Sequence, residues 1–177
     1  LRMENGFLSG VWLLGNNYKG SGYYGAYPPQ YLKRVDALFW DLYPVIHLFS
    51  GSLPKSSNYL RININEDPDI VGDVHHLSEM RLPKKYLHPK VIYADPPYTK
   101  TDAAKYGTPM VHRKKVLEEC SKVLAPGGFV IWLDTVWPMI LKKKLKLVGV
   151  ISILRSQNHR VRSCFIMQKT KPSKHIN

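Results

Sequence analysis

Cysteine is scarce in this sequence. The 177 residues include two, Cys120 and Cys164, both in apolar contexts. Neither belongs to a paired or histidine-flanked spacing, which argues against a disulfide framework and against a zinc site. The seven histidines are scattered; the one adjacent pair is His75-His76, whose side chains should point apart. No metal is expected. Long apolar runs are missing as well, so no segment reads as a membrane span. The opening, LRMENGFLSG, lacks the apolar stretch of a secretory signal, and Met3 is a candidate natural start. A reduced, cytoplasmic protein that does not touch a membrane is the expectation. Acid is the other shortage: 13 Asp and Glu face 26 Lys and Arg, a formal charge of +13. Such a field draws in polyanions, nucleic acid first among them. An unspecialised basic surface is the competing reading.

What is present reads as one folded domain. The chain is 44% hydrophobic and 22% charged, with no internal repeat and no low-complexity tract. Residues 1–28 are rich in Gly, Tyr and Asn and read as an arm packed on the core. Residues 29–170 read as the domain itself, and 171–177 as a basic tail. A helix is predicted over residues 29–42, with Tyr31, Leu32, Val35, Leu38, Phe39 and Leu42 on one face. Then VIHLFS, YLRINI, DIVGDV and KVIYA alternate with loops as four short strands. Thr108 is a candidate N-cap with Pro109 at the first helical position, and the helix runs until Ala125-Pro126-Gly127-Gly128 stops it. FVIWLD is a fifth strand, followed by a short helix over 137–144. The chain closes on two long strands, LKLVGVISIL and RVRSCFIMQK, with a tight turn between them, hence an antiparallel hairpin. This alternation predicts an α/β fold, a mostly parallel sheet flanked by helices. In such a sheet ligands sit at the carboxyl ends of the strands. Gly51, Asp73 and Asp95 all fall at such ends.

Asp95-Pro96-Pro97-Tyr98 ends the apolar strand KVIYA in a turn that two prolines make stiff. It resembles the catalytic motif of the class I S-adenosylmethionine-dependent amino-methyltransferases, which methylate an exocyclic nitrogen of adenine, cytosine or guanine. The residue types suit that chemistry. An exocyclic amine is a poor nucleophile because its lone pair is delocalised into the ring. A carboxylate on Asp95 and the carbonyl of Pro96 can accept its two N–H bonds and favour a pyramidal nitrogen. Tyr98 can stack on the base. A proline-rich strand exit with a solvent-facing acid is the plainer alternative.

The resemblance extends from about Tyr18 to the end of the chain and implies a Rossmann-like class I methyltransferase fold with S-adenosylmethionine as cofactor. VIHLFSG is similar to the first strand and glycine turn of that family, which implies cofactor contacts for His47, Phe49, Ser50 and Gly51. VGDVHHL is similar to its acidic motif, which implies that Asp73, with Val74 beside it, bonds the adenine amino group. NYKGSGYYGAYPPQYLKR stands where the family carries a segment over the cofactor carboxylate, which implies a role for Tyr23. Three departures accompany these likenesses. Ser52-Leu53-Pro54 follows Gly51 where more glycine is usual, and the first crossover is too short for a regular helix. The acid that usually holds the ribose hydroxyls is replaced by Asn63.

Lys100, Lys105, Arg113, Lys114, Arg155 and Arg160 are the candidates for a nucleic-acid surface, and Lys142-Lys143-Lys144-Lys146 reads as a solvated helix face. Tyr18, Tyr23, Tyr24 and Tyr27 can stack on bases or cofactor, or pack the arm on the core. TKTDAAKYGT, between the acid turn and the next helix, reads as a flap over the target base. No spare segment is large enough for a separate target-recognition domain, so loops, a partner subunit or a structured RNA target would have to supply recognition. Transfer of a methyl group to a base amine, most of all adenine in DNA, is the leading expectation. The alternatives are an RNA base, a non-catalytic nucleic-acid-binding subunit, and a small-molecule methyltransferase.

Overall fold

The protein's structure, a computed structural model, describes residues 1–15, 27, 28, 30–65, 67–155 and 158–171, with 158–160 described by their backbone. Short runs of branched apolar residues build its centre. Val45–Leu48 (β3), Tyr59–Asn63 (β4) and Val91–Ala94 (β6) pair in parallel with β3 in the middle, His47 facing Arg61 on one side and Tyr93 on the other. Ile70–Val71 (β5) extends this group beyond β4, and Phe129–Asp134 (β7) extends it beyond β6. Leu145–Arg155 (β8) and Asn158–Lys169 (β9) form the closing hairpin, in which β9 inserts antiparallel between β7 and β8.

The amino-terminal residues correct the sequence reading. Residues 1–14 are not loop: Arg2–Glu4 (β1) and Phe7–Leu14 (β2) form a hairpin, and β2 runs parallel to β8 along seven register pairs from Leu8–Gly149 to Leu14–Arg155. Asn5 and Gly6 make the turn with positive φ (48° and 74°). Asn-Gly is the sequence that favours a two-residue hairpin turn of this hand. The complete order is β1-β2-β8-β9-β7-β6-β3-β4-β5, a nine-stranded sheet in which β1 and β9 run against the rest.

The helices are shorter than predicted and differently placed, which corrects the picture of a sheet flanked by helices. The described residues hold Tyr31–Asp36 (α1), Lys100–Lys105 (α2) and Arg113–Val123 (α3), with short 3-10 turns at Val74–Glu79 and Lys84–Tyr86. The helix expected over 29–42 stops at Asp36. No helix forms over 137–144, where Pro138 removes a donor, three successive lysines repel, and Met139–Leu141 is too short an apolar run to repay nucleation. Two cores flank the sheet. On one face α3 and the turn at Val74–Glu79 cover Ile46, Leu48, Ile62, Ile92, Val130 and Trp132. On the other, α1 lies with Trp12 and Leu14 over Tyr93, Ile131, Leu133, Ile151 and Ile153. Both cysteines are free and buried; Cys164 accepts from the Tyr31 hydroxyl at 3.4 Å, and burial pushes its thiol up to about 12. They pack rather than react. No helix among the described residues is long and apolar enough to cross a membrane.

Candidate active site

From β3 the chain proceeds outward through β4 to β5, whereas β6 and β7 lie on its other side. The strand order therefore reverses between β3 and β6. A crevice opens outside the carboxyl ends of strands at such a switch point. Leu48 pairs with Ala94 at the ends of these two strands, so the turn after Leu48 and the turn beginning at Asp95 stand side by side.

The acid turn is densely bonded. Asp95 is half-buried, and its Oδ1 accepts from the Tyr98 hydroxyl at 2.5 Å. Burial raises the Asp95 carboxyl to about 7, against the opposing pull of the Arg162 charge and the Tyr98 bond and with a push from Asp134. Its Oδ2 has no partner among the described residues. The Arg162 guanidinium lies over the Tyr98 ring, 5.1 Å from the centroid, so one ring face is already covered.

A buried clamp fixes the turn from behind. Asp134, the last residue of β7, is fully buried. It accepts from Arg113 Nε at 2.7 Å and Nη2 at 3.2 Å, from Trp132 Nε1 at 3.1 Å, and from the amides of Thr135 and Val136. Arg113 Nη2 also donates to the Tyr98 carbonyl at 3.0 Å. Arg113 was placed by sequence on the nucleic-acid surface; its guanidinium is instead spent on Asp134 and the acid turn. Asp134 was not singled out, although an acid closing the buried run FVIWL was a visible signal, since a carboxylate there has to find donors.

The neighbouring turn is bonded quite differently. Phe49 and Gly51 both have positive φ (56° and 49°), and Ser50 between them is 3% exposed with its Oγ unpartnered among the described residues. Asn63, ending β4, accepts from the amide of Ile64 at 3.0 Å. Asp73 follows β5 and caps the turn at Val74–Glu79, accepting from the His75 amide at 3.0 Å and from His75 Nδ1 at 2.6 Å. Its side chain remains half exposed. Burial alone would raise its carboxyl, but the bonds from His75 bring it below its ordinary value. The Val74 side chain joins the core. His47 is buried in β3 on the α1 face, stacked on Tyr93 at 4.6 Å, with its Nδ1 3.4 Å from the Tyr27 hydroxyl. Tyr27 stacks on Tyr31, so that arm residue packs on the core. Tyr18, Tyr23 and Tyr24 lie outside the described residues.

The segment read as a flap holds α2, closed at both ends. Thr99 and Asp102 form a reciprocal capping box. At the other end Gly107 takes φ 65°, and the amides of Gly107 and Thr108 return to Ala104 and Ala103. Thr108 thus finishes α2 rather than starting α3, and His112 caps α3 by accepting from the Lys115 amide at 3.2 Å. Lys100 opens α2, Lys105 ends it, and Lys114 is exposed on α3. Arg155 ends β8 with its Nε buried and unpartnered among the described residues. Arg160 is described by its backbone within β9.

No family model matches the sequence, and no curated protein matches it. The class that emerges is one of architecture: an α/β sheet, largely parallel, whose strand order reverses between β3 and β6. TrmN from Thermus thermophilus shares it, with a TM-score of 0.56 at 15% identity over 81% of this chain and 49% of that one. SMU.776, assigned as a methyltransferase and solved with SAH, aligns at 0.47 and 13% over 81% and 50%. A protein from Streptococcus mutans, assigned as SAM-dependent, aligns at 0.46 and 14% over the same shares, 81% and 50%. The chain thus spans about half the length of these solved structures, and what it shares with TrmN is the fold.

Proposed function

We propose that this chain is an S-adenosylmethionine-dependent methyltransferase that modifies an exocyclic amino group of a nucleic-acid base, adenine in DNA before other targets. The observation that carries the reading is Asp95: a half-buried carboxyl raised to about 7, with one oxygen unpartnered among the described residues, in a stiff turn at the strand-order reversal.

The residues beside it fit the cofactor. Ser50 offers a buried hydroxyl without a partner among the described residues in a turn bent by two left-handed residues, and Asn63 ends β4 while Asp73 follows β5 on the same edge. Phe49, Ser50 and Gly51 would hold the amino-acid part, and Asp73 the adenine. When bound, S-adenosylmethionine supplies a methyl group on a sulfonium. Asp95 Oδ2, ionised above about pH 7, accepts one amine N–H, and the Pro96 carbonyl accepts the other. The Tyr98 bond and the two prolines hold both acceptors in a stiff turn before the base arrives, so little reorganisation would be needed as the nitrogen pyramidalises. The clamp from Asp134 through Arg113 to the Tyr98 carbonyl keeps the turn in place. The base stacks on Tyr98, either on the face away from Arg162 or in place of that guanidinium. Lys100, Lys105 and Lys114 supply positive charge beside the acid turn, and target recognition would come from loops or from a partner subunit.

A second reading rests on a different observation. Asn63 Oδ1 and Asp73 Oδ1 already accept bonds from Ile64 and His75, as suits a non-catalytic subunit that binds nucleic acid without cofactor. One experiment separates the readings: incubation with radiolabelled cofactor and DNA or RNA, digestion to nucleosides, and calorimetry of cofactor binding. Label in N6-methyladenine from DNA is the expected result. Label in an RNA nucleoside would move the substrate class, and absence of cofactor binding would leave the non-catalytic reading.

A further inference from the structure

We infer that the chain carries a second ligand site, an aromatic box for a quaternary ammonium group, between α1 and the amino ends of β3, β4 and β6. It is independent of the proposed methyl transfer and lies at the opposite ends of these strands from the acid turn. Phe39, Trp40, Tyr43, Tyr59 and Tyr93 line a cavity of about 160 Å3 with Asp36 at its side. That volume is well below the roughly 300–1,000 Å3 of pockets that enclose cofactors and drug-sized ligands. The site therefore takes a compact headgroup rather than a nucleoside. Trp40 and Tyr43 are 74% and 53% exposed, so the opening is itself aromatic.

Three features select a cation, and a methylated one. Aromatic faces attract positive charge through their quadrupole. Asp36 accepts from the Tyr93 hydroxyl at 2.6 Å and has no cationic partner among the described residues, in a chain of +13. The nearby Arg34 guanidinium is directed to Trp12, 5.9 Å from that ring. The floor is His47, stacked on Tyr93 and edge-on to Tyr59; burial lowers its pKa to about 3, so no imidazolium opposes a guest cation. A primary ammonium brings three donors that each need an acceptor. Beyond Asp36, the lining offers Asn58 and hydroxyls on a mostly carbon wall. A fully methylated ammonium needs no acceptor and gains from each ring face that it meets.

Two sources share this chemistry, a methylated lysine side chain and a choline-type small molecule. The test is titration of the whole chain, followed by calorimetry and by the Trp40 indole N–H signal in NMR. The ligands are tetramethylammonium, choline, a trimethyllysine peptide, its unmodified counterpart, and the neutral isostere 3,3-dimethyl-1-butanol. Saturable one-to-one binding of tetramethylammonium is expected, with the isostere about tenfold weaker or worse. Tightest binding by the peptide or by choline identifies the source. Trp40→Ala and Asp36→Asn should each weaken binding about tenfold with the thermal midpoint retained, since an amide oxygen still accepts from Tyr93. Absence of saturable binding, equal binding by the isostere or the unmodified peptide, or indifference to both substitutions would overturn the assignment.

Discussion

Two turns stand side by side at the carboxyl edge of the sheet, one after β6 and one after β3, and their bonding is opposite in character. The turn at Asp95 is held by its own side chains: Asp95 Oδ1 accepts from Tyr98, Arg162 covers the ring, and Arg113 ties the Tyr98 carbonyl to Asp134, which leaves Asp95 Oδ2 alone open among the described residues. The turn at Ser50 is under-bonded, with a buried hydroxyl that no described residue meets and two residues at positive φ. A group that must be aimed before a reaction is best fixed by the protein itself. A group that receives a ligand is best left with bonds to give, because an unmet buried hydroxyl is a cost that binding removes. On the proposed function, the difference assigns the turn at Asp95 to orienting an amine and the turn at Ser50 to receiving a cofactor.

The strongest way to break this comparison is at Asp95. Asp95→Ala should lower the single-turnover rate of methyl transfer at saturating cofactor by about a hundredfold to a thousandfold, the usual cost of a lost preorganised partner. Cofactor affinity, which that reading assigns to the other turn, should stay close to that of the parent. Parent-like turnover would make the acid turn structural.

The clamp is next. Arg113→Met leaves the buried Asp134 side chain with its neutral donors alone. Loss of one partner of a buried pair costs about 3 kcal/mol or more, which urea denaturation should register. Lys114→Met, one residue along and exposed, should be near neutral. Equal effects would mean that the clamp contributes nothing.

At the other turn the sign reverses. Ser50→Ala removes a hydroxyl that has no partner in the free protein, so the free chain should gain about 1 kcal/mol of stability. The same substitution should weaken binding of the demethylated cofactor, measured by calorimetry. A loss of stability would show that the hydroxyl is already satisfied and that the two turns are alike.

The central sheet was legible because its strands are short apolar runs between Gly, Pro and acid, and the closing hairpin because two long alternating strands flank a tight turn. The Asn5-Gly6 hairpin and the Thr99-x-x-Asp102 box were equally local signals, overlooked within segments read as arm and flap. The clamp is of another kind. Arg113 and Asp134 stand 21 residues apart, and nothing in either segment says that one is aimed at the other; their meeting depends on how α3 is set against β7. The under-bonding of Ser50 is likewise a property of packing: its sequence neighbours show a turn and give no sign that its hydroxyl is buried.

A further effect concerns what holds the Asp95 carboxyl at about 7 rather than higher. Burial penalises the ionised form. The Arg162 charge favours it most, and the Tyr98 hydroxyl, donating to Oδ1, favours it next. Removing either group should therefore move the titration upward, Arg162→Met further than Tyr98→Phe. If the Tyr98 bond is worth about 1.4 kcal/mol to the carboxylate, its loss reduces the ionised fraction at pH 7 by about fivefold. The methyl transfer that needs this carboxylate should fall with it and recover as pH is raised. Base stacking by the ring is untouched in Tyr98→Phe, so the deficit should vanish at high pH, whereas Tyr98→Ala should keep a deficit of about 1–3 kcal/mol at every pH. Carbon-13 NMR of the Asp95 carboxyl follows the titration in the free protein without reference to catalysis. A midpoint in the ordinary aspartate range, unmoved by either substitution, would show that Asp95 is solvated like any surface acid and that the contrast between the two turns does not extend to charge.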